Sequence, residues 1–187
     1  MDYQRIIDKY YPAPSKARDI LMRHSRDVAN LALEIADRLN MSLDREKIEA
    51  AAMLHDIGIF QTYAPSIDCH GDKQYIMHGP LGTDLLLSEG VDQEIALVAQ
   101  CHTGAGITHH DIVIQGLPLP LDRIYVPGSL LEQLICYADK FYSKSDLEHV
   151  NTVDEIVASL SYRSEAAAKN FLSLHELFSG EWTRLTL

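Results

Sequence analysis

Apolar residues recur along most of this chain at steps of three, four and seven, the spacing of one face of an α-helix. The first long stripe runs Leu21, Val28, Leu31, Ile35 and Leu39, behind Pro14 and Ser15, which suit a helix entrance. His24 fills the one gap in that stripe, four residues before Val28. A second helix is predicted to begin after Ser42 or Asp44 and to turn Ile48, Ala51 and Ala52 inward. His55 comes next on the same face, and Gly58 ends the helix. A third starts near Gly79-Pro80 and stops at Gly90. A fourth spans about Asp92 to His102, with Ile95, Val98 and His102 as its stripe.

The segment from Thr103 to Pro127 is too long for a simple connection and predicts a lid or pocket wall. Within it Thr108 can cap a short helix ended by Gly116, although the apolar run Ile112 to Ile114 is ambiguous. Gly128 or Ser129 opens another long helix, with Leu131, Leu134, Ile135 and Ala138 inward and Asp139 four residues after Ile135. Thr152 caps the next helix, and Glu165 to Phe178 forms the last. Pro65 to Lys73 is a loop rich in turn residues. No segment alternates as a half-buried strand does, so the predicted fold class is all-α.

Composition narrows the setting. A length of 187 residues favours one domain, here a motif core of about 15–144 with the helices of 145–187 packed on it. No run of about 18 apolar residues is present, so no membrane span is expected, and the polar start lacks the apolar centre of a signal peptide. Cys69, Cys101 and Cys136 form no CxxC pair and read as reduced thiols in a cytoplasmic protein. The formal charge of −11 opposes binding to a nucleic-acid polymer. It does not exclude a small phosphorylated substrate, because bound cations reverse a local field. No P-loop, HExxH or EF-hand loop occurs.

Candidate chemistry centres on His55-Asp56, which offers an imidazole nitrogen and a carboxylate oxygen from one stretch of backbone, a mixture suited to Fe, Mn, Zn or Mg. A lone histidine on an apolar face is more often a hydrogen-bonded core residue. His175, in the Phe171, Leu174, Phe178 stripe, is read that way. His24, His55 and His102 differ because three separate helices each turn one imidazole inward. Asp56 and Asp139 add carboxylates whose burial metal coordination would relieve. His78 stands at a helix entrance that can aim it at a cleft. His109 and His110 are read as surface residues, His70 as part of a mobile loop, and His149 lacks supporting context.

His24, then His55-Asp56-Ile57-Gly58, then Asp139 resemble the HD superfamily in its HDIG form, over roughly Ser15 to Lys144. His78-Gly79 and Cys101-His102-Thr103-Gly104 look like the subset that holds two metals. Gly104-Ala105-Gly106-Ile107, Gly116-Leu117-Pro118 and Tyr137-Ala138-Asp139-Lys140 further resemble one HDIG subgroup. The resemblance implies an HD-type helical bundle with a first ion on His24, His55, Asp56 and Asp139. A second would sit on Asp56, His78 and His102. Fe or Mn stand foremost, with Zn, Ni, Co or Mg also compatible.

The activity so implied is hydrolysis of a phosphoric ester or anhydride in a small metabolite, foremost a nucleotide, by metal-bound hydroxide. Asp56 and Lys140 are the catalytic candidates. Lys140 is the first choice for a phosphate contact, against the reading of a solvated cation at a helix end. Arg23 and Lys144 follow, and Thr103 and Gly104 are expected to shape the pocket. Bacterial HD-type diadenosine tetraphosphate hydrolases resemble this arrangement, though nothing here selects adenine. Myo-inositol oxygenase and related HD proteins present a comparable donor set to two irons, which keeps an oxygenase as the alternative. A catalytically silent sensing module is disfavoured because no ligand position is degraded. Oligomeric state is left open, a homodimer included.

Overall fold

The computed structural model describes residues 1–180; the end of the expected C-terminal packing, 181–187, lies outside the described residues. Its architecture is all-α. The helices are α1 (Tyr3–Tyr10), α2 (Lys16–Arg38), α3 (Arg45–Leu54), α4 (His78–Ser88), α5 (Gln93–Cys101), α6 (His109–Gln115), α7 (Leu130–Asp139), α8 (Val153–Arg163) and α9 (Glu165–Phe178). Side-chain caps start most of them. Ser15, Asp44 and Asp92 accept a backbone N–H from the first turns of α2, α3 and α5. Thr108, Ser129 and Thr152 form complete capping boxes with Asp111, Glu132 and Glu155.

The main core is a contiguous set of buried apolar side chains reaching from Ile6 to Phe178, with a smaller cluster of Ile112, Leu119 and Tyr125 apart from it. Helix α2 packs on α3 and α7, and α5 packs on α3, α4 and α7. On α2 the buried face is Leu21, His24, Val28, Ala32 and Ile35 with Ala29 and Ala36, while Leu31 and Leu39 are only half-buried. The predicted stripe was thus turned slightly toward the alanines, whose small side chains let α3 and α7 come close. Helix α9 covers the far side of α7, where Phe171 and Phe178 pack on the Tyr137 ring at centroid distances of 5.6 and 5.5 Å.

Three features depart from expectation. Helix α1 was not foreseen, because only Ile6 and Ile7 of its eight residues are buried, too few to make a stripe. The loop after α3 carries a two-residue antiparallel pair, β1 (Tyr63–Ala64) on β2 (Cys69–His70), too short to show alternation. Gly58 does not cap α3 in a left-handed conformation: α3 stops at Leu54, and Gly58 has φ −81°. Its role is close approach. A Cβ there would lie 2.2 Å from the His78 carbonyl oxygen and 2.6 Å from the Gly82 nitrogen, so the turn after α3 rests directly on the backbone of α4.

Tyr11, just past α1, bolts the same turn from the other side. Its hydroxyl donates to the Ile57 carbonyl (2.9 Å) and accepts the Phe60 N–H (3.1 Å). Gly58→Ala should therefore destabilise the fold by about 1–3 kcal/mol or more in urea unfolding. Gly128→Ala, where the nearest atom to an added Cβ is the Glu132 carboxylate at 3.8 Å, should stay within about 0.5 kcal/mol of wild type. Equal effects would show that backbone contact at Gly58 is not what seats α4.

Candidate metal centre

Five chain segments converge on Asp56. His24 comes from the middle of α2, His55 and Asp56 from the turn closing α3, His78 from the first residue of α4, His102 from the end of α5 and Asp139 from the end of α7. All six side chains are buried. They form two groups of donors sharing Asp56: His24, His55, Asp56 and Asp139, and Asp56, His78 and His102. The Asp56 Oδ2 atom lies 3.2 Å from His24 Nε2 and 3.1 Å from His55 Nε2. The Oδ1 atom lies 3.4 Å from both His78 Nε2 and His102 Nε2. Asp139 Oδ1 completes the first group at 3.0 Å from His24 and 3.3 Å from His55.

Three of the imidazoles are oriented by one repeated device. The Nδ1 of His55, His78 and His102 meets the carbonyl three residues earlier, of Ala52, Tyr75 and Ala99, at 2.6, 2.6 and 2.8 Å. Since a carbonyl only accepts, Nδ1 carries the proton and Nε2 turns a lone pair inward. His78 Nε2 and His102 Nε2 then face each other at 3.0 Å with no proton to share in their neutral forms. Asp56 Oδ1 is buried without a hydrogen-bond partner among the described residues. Lone pairs gathered this way need a cation. Donors about 2.1 Å from one ion and at right angles stand about 3.0 Å apart, close to the spacing seen here. The donor set fits divalent metal, with imidazole nitrogen and carboxylate oxygen mixed.

Protonation divides the three rings. Burial alone would push His55 down, but Asp56 and Asp139 outweigh it and hold the imidazolium up to about 9, so its Nε2 carries a proton that a bound metal would displace. Burial prevails at His78, lowered to about 3, and lowers His102 as well. Both carboxyls resist the upward push of burial and stay well below the usual carboxylate range, Asp56 through Lys144 and His55, Asp139 through Lys140 and Lys144.

The other expected residues divide. Lys140 pairs with Asp139 Oδ2 at the end of α7. Lys144 reaches Asp56 Oδ2 at 2.5 Å and His24 Nε2 at 3.3 Å, a more intimate place than its sequence context suggested. Thr103 Oγ1 is 3.4 Å from His78 Nε2, and Gly104 takes φ +61° beside it. Both border a cavity of about 200 Å³ that also meets His78, His102, Asp139, Lys140 and Lys144. Arg23 is the correction: it turns outward to Glu148 (2.7 Å) and the Leu147 carbonyl, away from this cavity. His70, His109 and His149 are exposed, paired with Asp68, the Arg123 carbonyl and Glu155. His175 meets the Tyr137 hydroxyl at 2.9 Å, in the structural place assigned to it.

Tyr75 was missed. Its ring lies over His78 at a centroid distance of 4.6 Å, and it borders the same cavity. The signal was an aromatic three residues before a helix-opening histidine.

A family model for the HD domain matches residues 21–144, the span holding all six donors. The chain belongs to the HD domain family. HD domains bind metals, and the two buried donor groups are where this one could do so. Two tRNA (cytidine(56)-2'-O)-methyltransferases are similar to this HD chain. That of Thermoplasma volcanium is 31% identical over 87% of the chain and 43% of its own length. That of Picrophilus torridus is 29% identical over 87% and 42%. The HD chain thus spans less than half the length of either relative. An uncharacterized protein of Methanocaldococcus jannaschii is 34% identical over 64% of each chain.

Among solved structures, the HD domain of the L. monocytogenes phosphodiesterase PgpH superposes with a TM-score of 0.53, covering 96% of this chain and 98% of that one. A second structure of it, in complex with cyclic-di-AMP, gives 0.51 over 95% and 97%. Identity is 16% in both, so the likeness speaks for the fold.

Removing Lys144 tests the charge balance. Lys144→Met should cost the metal-free protein about 3–5 kcal/mol in urea unfolding, because it strands a buried carboxylate. Saturating Mn²⁺ should recover most of that loss by supplying the missing cation. An equal loss with and without Mn²⁺ would mean that Lys144 acts through packing alone.

Proposed function

We propose that this HD chain is a metal-dependent phosphohydrolase acting on a small phosphorylated metabolite, foremost a nucleotide. The observation that carries the reading is Asp56, with one oxygen toward His24 and His55 and the other toward His78 and His102. In this reading His24, His55, Asp56 and Asp139 hold one divalent ion, and Asp56, His78 and His102 hold another. Bound there, a metal pair supplies Lewis-acid activation of water and of a phosphoryl oxygen.

The chain's own residues do the rest. The carbonyls of Ala52, Tyr75 and Ala99 fix three imidazole rings before any ligand arrives, so little reorganisation is needed on binding. Lys140 and Lys144 bring two ammonium groups to the cavity bordered by His78 and His102, the place for the phosphoryl oxygens of a substrate. Thr103 offers a hydroxyl to the same group. Tyr75, Thr103 and Gly104 wall the cavity. Support also comes from the fold shared with the phosphodiesterase PgpH.

Protein reconstituted with Mn²⁺ under nitrogen should bind about two equivalents of metal and cleave phosphate esters without dioxygen. The new phosphate oxygen should come from labelled water. Asp56→Asn should cut turnover more than about 100-fold, and His78→Ala or His102→Ala should lower the metal content toward about one equivalent. Turnover that demands iron and O₂, with label entering from O₂, would establish an HD-type oxygenase instead.

A further inference from the structure

Beyond the donor groups, the described residues enclose a cleft of about 380 Å³, most of whose lining the proposed chemistry does not use. Ile76, Ile107, Leu117, Leu160 and Ala167 make it mainly apolar, and Gln74 and Gln115 place carboxamides in its lining. It shares Tyr75, Thr103, Gly104, Leu160 and Arg163 with the cavity bordered by His78, His102 and Asp139. A third cavity, of about 410 Å³, meets that one at Tyr75, Asp139, Lys140, Lys144 and Arg163. Tyr75 and Arg163 therefore border all three spaces.

Arg163 is unusual in this acidic chain. The other arginines among the described residues each hold a carboxylate or a backbone carbonyl. The Arg163 guanidinium has no such partner among the described residues. The backbone that carries it is nevertheless fixed: Gln115 Nε2 donates to the Arg163 carbonyl at 3.1 Å, and Ser164 Oγ donates to Asp111 at 2.8 Å. A held backbone with an unpaired planar cation, at the junction of three cavities beside two lysines, is an anion contact in waiting.

Resting on the phosphohydrolase reading, we propose that Arg163 binds an anionic group of the substrate and that the 380 Å³ cleft takes the substrate's nucleobase. The cleft lies within the size range of small-ligand sites, about 300–1,000 Å³, and has their usual make-up of apolar walls with few polar groups. The Gln74 carboxamide offers donor and acceptor together, as a base edge requires and an alkyl chain does not, while Gln115, whose Nε2 donates to the Arg163 carbonyl, adds its Oε1 as acceptor. The helices that supply Leu160, Arg163 and Ala167 are α8 and α9, beyond the 21–144 span of the family match. One wall of the cleft, with Arg163, is thus drawn from a different stretch of chain from the metal donors.

Two probes that resist hydrolysis test this on the Mn²⁺-reconstituted chain by titration calorimetry: the phosphonate analogue of AMP, and methylphosphonate. The nucleotide analogue should bind at least about tenfold tighter, a difference of about 1.4 kcal/mol. Leu117→Trp, which fills the cleft, should abolish the difference. Arg163→Gln, at an exposed position, should weaken the nucleotide analogue about tenfold, and Arg163→Lys should recover part of that. Equal affinity for the two probes in wild type overturns the inference, as does Arg163→Gln with unchanged affinity. Turnover of bis(p-nitrophenyl) phosphate by wild type reports separately on the underlying reading. Hydrolysis without nucleoside preference sinks the cleft alone. Nucleoside preference without hydrolysis of any ester keeps the cleft and sinks the chemistry.

Discussion

A carboxylate taken wholly out of water is the constraint around which this molecule is arranged. Asp56 is fully buried, and an uncompensated charge there would cost several kcal/mol, a large share of the stability of a domain this size. The chain answers at Oδ2 with the His55 imidazolium and the Lys144 ammonium, beside His24, and leaves Oδ1 facing the inward nitrogens of His78 and His102, where a cation would complete the compensation. Helix packing and charge compensation are consequently the same event. Helices α2, α3, α5 and α7 meet through alanines and leucines outside the donor groups and through ionic contacts at their centre.

How much of this could be read in advance follows from the range of each interaction. Helix starts were legible because capping is local: Ser15, Asp44, Asp92, Thr108, Ser129 and Thr152 each bond within their own first turn. The inward imidazoles were legible because each fell on an apolar face. Lys144 against Asp56 was not, since 88 residues separate them and only the folded arrangement of α7 brings them together. Arg23 misled for the converse reason. It stands next to His24, but neighbours on a helix point about 100° apart, and its guanidinium runs outward to Glu148.

Helix α1 and Tyr75 escaped for a different cause. Each acts through one or two residues and leaves no period in the sequence. Tyr11, at the end of α1, holds the turn that follows His55 and Asp56 through a single hydroxyl serving as donor and acceptor at once. Arg163 leaves no pattern either, because what marks it is the absence of a partner among the described residues, a property of the fold and not of its neighbours in the chain.

The contact between Gly58 and the start of α4 bears on how such a chain can diverge. Where two backbones touch, their separation does not depend on which side chains fill the surrounding core. His55 and Asp56 on one side and His78 on the other are thereby gauged by peptide atoms, which every sequence shares. Substitutions can accumulate through the hydrophobic interior, shifting helices by fractions of an ångström, while the spacing across this joint stays put. The toleration of core drift is bought with one position, Gly58, that cannot drift at all. A lineage could replace most of its buried leucines and still inherit the same spacing, provided it kept this residue, whose side chain is a single hydrogen.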